Sequence, residues 1–203
     1  MPESTMKPTK LSTQQKLRER CDILARVVTG IASIHAEAST TDNQRHLLET
    51  IIGAAIWYFP QVPQLWTGAI SVEALASYLP LSGSEKPRLT ADHAFPRKVA
   101  ARELLQFDWQ SESEPGSRVL QLYLEKYGRF NLVTPKENRT LVKYQKGVTF
   151  QTPEAAYSAA GIALVTATVG DLALVKRRDE ATISRLMRQE APEKPPNNGM
   201  QLT

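Results

Sequence analysis

The chain has 203 residues, 41% of them hydrophobic and 23% charged, with a net charge of +4 and a pI of about 9.2. This excludes global disorder and leaves room for a sizeable core in one domain, or in a domain with small appendages. The mild basic bias permits an anionic partner such as nucleic acid without demanding one. The single cysteine, Cys21, excludes an intramolecular disulfide and a Cys-x-x-Cys zinc clip, and fits a reducing, cytoplasmic setting.

Met1–Lys10 is polar, holds Pro2 and Pro8, and lacks the apolar core of a signal peptide. The pattern divides into a disordered tail over 1–11, a helical region over 12–80, a second region over 81–190 and a disordered tail over 191–203. Ser12 or Thr13 caps a predicted helix that runs to about Ala38, with Leu17, Cys21, Leu24, Val28, Ile31 and His35 on one stripe. His35, at the end of that stripe, reads as a packed residue and not a ligand. Thr41-Asp42 caps a second helix, which Pro60 ends. Leu47, Leu48, Ile51, Ile52, Ala55, Ile56 and Phe59 give it a broad apolar face, so it is expected at the centre of the core. His46 falls on its polar side. The two helices read as a hairpin.

Gln61–Gly68 reads as a connection, and Ser71 caps a short helix over Val72–Tyr78. Leu79–Arg88 is a Pro/Gly/Ser-rich loop that delivers the chain to Asp92-His93. A helix follows Pro96 to about Phe107, and Val119–Tyr127 is helical up to Gly128. Phe130–Val133 is a predicted strand. Thr134-Pro-Lys-Glu137 is a capping box with proline at the first helical position. Gly147 closes that helix, and Val148–Gln151 is a predicted second strand. Thr152-Pro153 starts an Ala-rich helix, and Asp171–Gln189 reads as one last basic helix. The two most apolar runs, Ile51–Phe59 and Gly161–Val169, are too short to span a bilayer, which takes about 20 residues. The expected fold is mainly α: a helical domain with a small two-strand element preceding a capped helix.

Chemistry concentrates at Leu89–Pro96 and Asn131–Asn138. Phosphodiester cleavage needs a divalent cation and a base to activate water. In that reading Asp92 ligates the metal (Mg, Mn or Ni), His93 is the general base, Asn131 orients the imidazole and Asn138 is a second metal ligand. Arg97, Lys98, Lys136, Arg139 and Lys143 then meet phosphates of DNA or RNA. The same residues admit a purely structural reading. In it Asp92 caps a turn or helix, His93 is a packed loop histidine, and the two asparagines are polar residues around a capped helix.

Asp92-His93-x-x-Pro96 resembles the opening of the HNH, or ββα-metal, nuclease motif, and Thr134-Pro-Lys-Glu-Asn138 is similar to the Thr-Pro-Lys-Arg-His segment of colicin-type HNH DNases. The resemblance covers roughly Thr90–Lys143 and implies metal-dependent cleavage of nucleic acid. The chain departs from that pattern in three places. The interval from His93 to Asn131 is far longer than the family's hairpin, residue 129 is an arginine, and Leu141 and Val142 follow where a second histidine belongs. The ending Asn197–Thr203 resembles the read-through tail of proteins encoded by mobile integron gene cassettes, which implies an accessory role. Two further readings come from other classes: a non-catalytic helical protein that binds nucleic acid or protein through its basic final helix, and a homo-oligomeric interaction domain built on the hairpin Ser12–Phe59.

Overall fold

The computed structural model describes residues 11–79, 87–146 and 150–189. The protein is mainly α: nine α-helices and a four-stranded sheet stand among the described residues. The chain forms two compact units, each discontinuous in sequence. One gathers the chain up to Leu65 with His93–Arg129, the other Trp66–Asp92 with the chain from Phe130 onward. The sequence reading draws its boundary at 80/81; the chain instead passes between units after Leu65, Asp92 and Arg129.

The first unit is helical: α1 (Thr13–Ala36), α2 (Asp42–Trp57), α4 (Arg97–Gln106) and α5 (Pro115–Leu122), the last continuing as a π-helical turn over Tyr123–Tyr127. Ser12 and Thr41 each close a capping box with a glutamine three residues on, which satisfies orphan N–H groups locally. The α1 stripe is buried as expected at Leu17, Cys21, Leu24, Val28 and His35. The broad α2 face is not. Ile52 and Ile56 are buried, but Leu47 is 59% and Ile51 50% exposed. The helix turns Glu49 inward instead, and Arg102 of α4 grips it with Nε–Oε1 2.7 Å and Nη2–Oε2 3.1 Å. His35 lies 3.8 Å from the same carboxylate. Gly53 allows α4 to approach closely, since a Cβ there would sit 3.3 Å from the Arg97 carbonyl oxygen.

The second unit holds β1 (Trp66–Ser71), β2 (Thr90–His93), β3 (Phe130–Val133) and β4 (Leu164–Thr166), with α3 (Val72–Ala76), α6 (Pro135–Leu141), α7 (Pro153–Ala159), α8 (Val169–Lys176) and α9 (Glu180–Met187). Residue His93, at the end of β2, counts with the helical unit. Strand order is β2-β3-β1-β4, with β1 parallel to β3 and antiparallel to β4. Only β3 matches an expected strand. The segment taken as a connection ends in β1, and the loop reading of Asp92-His93 gives way to β2. Of the expected strand Val148–Gln151, residues 148–149, like Gly147, lie outside the described residues, and 150–151 form no strand. The single last helix is two, α8 and α9, parted at Arg178. Ile70, Leu75, Val165, Val175, Ile183 and Leu186 form a core between sheet and helices. Among the described residues no helix is long and apolar enough to cross a membrane.

Burial alone would raise the Glu49 carboxyl, but the Arg102 hydrogen bond and charge, with His35 and His46, hold it below its ordinary 4.5. A depressed native value means that the contribution to stability is full above 4.5 and is lost as pH falls through the native value. Urea unfolding of the wild type is therefore expected to show a stability drop below pH 4.5. Glu49→Gln should lose part of that slope and cost roughly 1 kcal/mol at pH 7, since the Arg102 end of the pair is solvent-screened.

Candidate functional site

Asp92 and Asn131 enter one buried polar cluster in the second unit. Adjacent strand residues point to opposite faces. Asp92 is the buried member of β2, and its Oδ2 accepts from the Tyr157 hydroxyl and from Gln145 Nε2 at 3.0 Å. A bulge in β1 supplies the next partner. Between Trp66, opposite Phe130, and Ile70, opposite Leu132, the strand carries extra residues, and Gly68 takes φ +88° there. A side chain at Gly68 would meet the Ala167 carbonyl oxygen at 3.3 Å. Bulges re-aim side chains. Here the Thr67 hydroxyl donates to Asn131 Oδ1 and accepts the Ala69 N–H at 3.0 Å. The Asn131 side chain also lies near enough to Tyr157 to oppose the rise of its phenol, so the Thr67–Asn131 pair sits beside the connected set Tyr157, Asp92 and Gln145.

Beside this set, Glu137 of the α6 capping box accepts the Thr134 N–H at 2.8 Å and the Ser71 hydroxyl at 2.7 Å. Ser71 in turn caps α3 by accepting the Ala74 N–H at 3.0 Å. One carboxylate thus ties together the starts of two helices.

Burial pushes the Asp92 carboxyl above its usual range, and the hydrogen bonds from Tyr157 and Gln145 only partly oppose this. Burial, then the Asp92 charge and hydrogen bond, push the Tyr157 phenol far up. These residues do not fit a divalent cation. The Asp92 Oδ2 already accepts two donors, Asn131 Oδ1 is turned to Thr67, and among the described residues no three His, Cys, Asp or Glu side chains gather as a metal site would. Asn138 is half-buried in α6, while Lys136, Arg139 and Lys143 are exposed. Lys136 reaches Glu73 at 3.9 Å.

His93 belongs to the helical unit. Its ring lies 5.8 Å from that of Trp57, tilted by 53°. The Arg97 guanidinium stacks over Trp57 with its carbon 3.6 Å from the ring centroid. Burial, then the Arg97 charge, lowers the His93 imidazole below its ordinary 6.5, so it is neutral at pH 7. Lys98 Nζ donates to His46 Nε2 at 2.6 Å. Trp57 stays 54% exposed and Tyr58 72%. The cluster places a half-exposed indole against Arg97 and a neutral imidazole, while Lys98 of the same helix start reaches His46 instead.

The structure thus brings Asp92 and Asn131 near the same Tyr157, and His93 and Arg97 against the same Trp57. Sequence reasoning missed Thr67, Gln145, Tyr157 and Trp57. Only Trp57 left a signal, as the aromatic that follows Ile56 at the end of the α2 apolar run. No protein-family model matches the chain, and comparison with curated proteins and with solved structures finds no match.

A buried acid whose native value is raised holds its proton more tightly when folded. Its contribution to stability is full below the ordinary 3.8 and is lost as pH rises through the native value. Asp92→Asn is expected to flatten this loss in urea titrations across mildly acidic pH. Tyr157→Phe, which strips a donor from the buried carboxylate, is expected to cost roughly 1–3 kcal/mol.

Proposed function

We propose that the protein binds single-stranded nucleic acid on the surface of the helical unit centred on Trp57 and Arg97, with Tyr58 and Lys98 next to them in sequence and exposed. The observation that carries this is the Trp57 indole, more than half exposed with a guanidinium stacked on it. Single strands are bound by combining aromatic platforms, on which unstacked bases lie, with cations that follow the phosphates. Arg97 and Lys98 supply those cations from the first turn of α4, which carries no acid and no side-chain cap. Cations at a helix N-terminus oppose the macrodipole, so helix stability does not account for their placement. The basic net charge acts in the same sense.

A metal-dependent endonuclease using Asp92, His93 and Asn138 is the second reading, favoured by the neutral His93 imidazole. It would require Asp92 to surrender the hydrogen bonds from Tyr157 and Gln145, which leaves binding without cleavage the better supported. Incubating plasmid and RNA with Mg²⁺, Mn²⁺ or Ni²⁺ beside His93→Ala tests it; cleavage absent from the wild type, or equal in both, removes it.

For the binding reading, the measurement is fluorescence anisotropy of labelled single-stranded DNA and RNA oligonucleotides across a salt series. Trp57→Ala is expected to weaken binding by about 1–3 kcal/mol, the worth of one stacked base. Lys98→Ala should lower the salt slope by about one. Wild-type affinity in Trp57→Ala, or no binding of either oligonucleotide, would overturn the reading.

A further inference from the structure

Two helices of the second unit end in the same turn. At the end of α7 the Ile162 N–H bonds the Tyr157 carbonyl and the Gly161 N–H the Ser158 carbonyl, both at 3.0 Å. Gly161 takes φ +69°. At the end of α8 the Asp179 N–H bonds the Leu174 carbonyl at 3.2 Å and the Arg178 N–H the Val175 carbonyl at 2.8 Å. The left-handed position there, φ 63°, falls on Arg178, the one non-glycine residue with positive φ among the described residues. This turn favours glycine because a Cβ is crowded by the backbone in the left-handed region. The first copy obeys that rule and the second carries a long cation against it.

Among the described residues no local contact accounts for the exception. Lys176, Arg177 and Arg178 are all exposed, and among the described residues no carboxylate forms an ion pair with any of them. The neighbouring acids are engaged elsewhere or set at helix starts. Asp179 accepts the Thr182 N–H, Asp171 is held by Thr168 and Arg185, and Glu180 opens α9. Lys176 and Arg177 suit the negative end of α8. Arg178 is already past that end and gains strain besides.

We infer that Lys176, Arg177 and Arg178 form a corner that contacts the sugar–phosphate backbone of nucleic acid, Arg178 being kept in a strained position for its charge. This rests on the nucleic-acid reading above and adds a second contact surface to it. Two backbone hydrogen bonds fix the main chain that carries these three cations before the ligand arrives, and each phosphate contact releases counterions.

The test is Arg178→Gly, with Arg178→Lys and Trp57→Ala beside it, read by thermal unfolding and by anisotropy of labelled single-stranded DNA and RNA oligonucleotides across a salt series. Arg178→Gly is expected to raise Tm by roughly 1–3 °C while weakening binding and lowering the salt slope by about one. Arg178→Lys should keep the wild-type slope and Tm. A purely structural turn predicts the rise in Tm with binding untouched. That result, with Trp57→Ala still impaired, would overturn the corner and leave the Trp57 surface standing. A wild type that binds neither oligonucleotide would overturn both.

Discussion

A carboxylate removed from water must be given donors, or it destabilises the fold that buries it. Three side chains meet that constraint here, and each organises its surroundings. Glu49 sits inside the helical unit because Arg102 presents two N–H groups of one guanidinium edge to it. Asp92 ends its burial on Tyr157 and Gln145. Glu137 takes a backbone N–H and the Ser71 hydroxyl. The Glu49 pair fixes how α4 lies on α2, while Asp92 and Glu137 hold the sheet to the helices that start beside it.

This engagement shapes what chemistry the second unit offers. A carboxylate with two donors on one oxygen, in a place where burial raises its affinity for a proton, is a poor ligand for a hard cation. A metal wants an ionised carboxylate and dehydrated lone pairs directed into open space. The Asp92 cluster instead resembles a buried polar network, whose members gain from each other when all are satisfied. The Gly68 bulge is part of that network, since it turns the Thr67 hydroxyl to Asn131.

The surface obeys a different logic. Arg97 and Lys98 stand at a helix start where their charge is unfavourable, and Arg178 stands in a backbone conformation that suits glycine. In both places a cation is kept where folding energetics would prefer something else. Trp57 adds an apolar plane left open to solvent. Such local conflicts concentrate where a ligand makes up the difference.

Helix starts were legible because capping is a local matter. Ser12, Thr41, Ser71, Thr134 and Thr152 each bond an N–H three residues ahead, and Phe130–Val133 shows its strand in its composition. The short strands Trp66–Ser71 and Leu164–Thr166 were not legible, because pairing with distant segments, and not residue preference, makes them strands. The break at Arg178 was hidden because no glycine marks it. The sequence by itself determined the mainly helical character, the caps and the α1 stripe, all consequences of interactions within a turn or two. Only the tertiary structure decided that Asp92 answers to Tyr157, 65 residues on, and to Gln145, 53 residues on. It likewise put Trp57 beneath Arg97, because the donors and planes that a buried or stacked group needs come from wherever the chain returns.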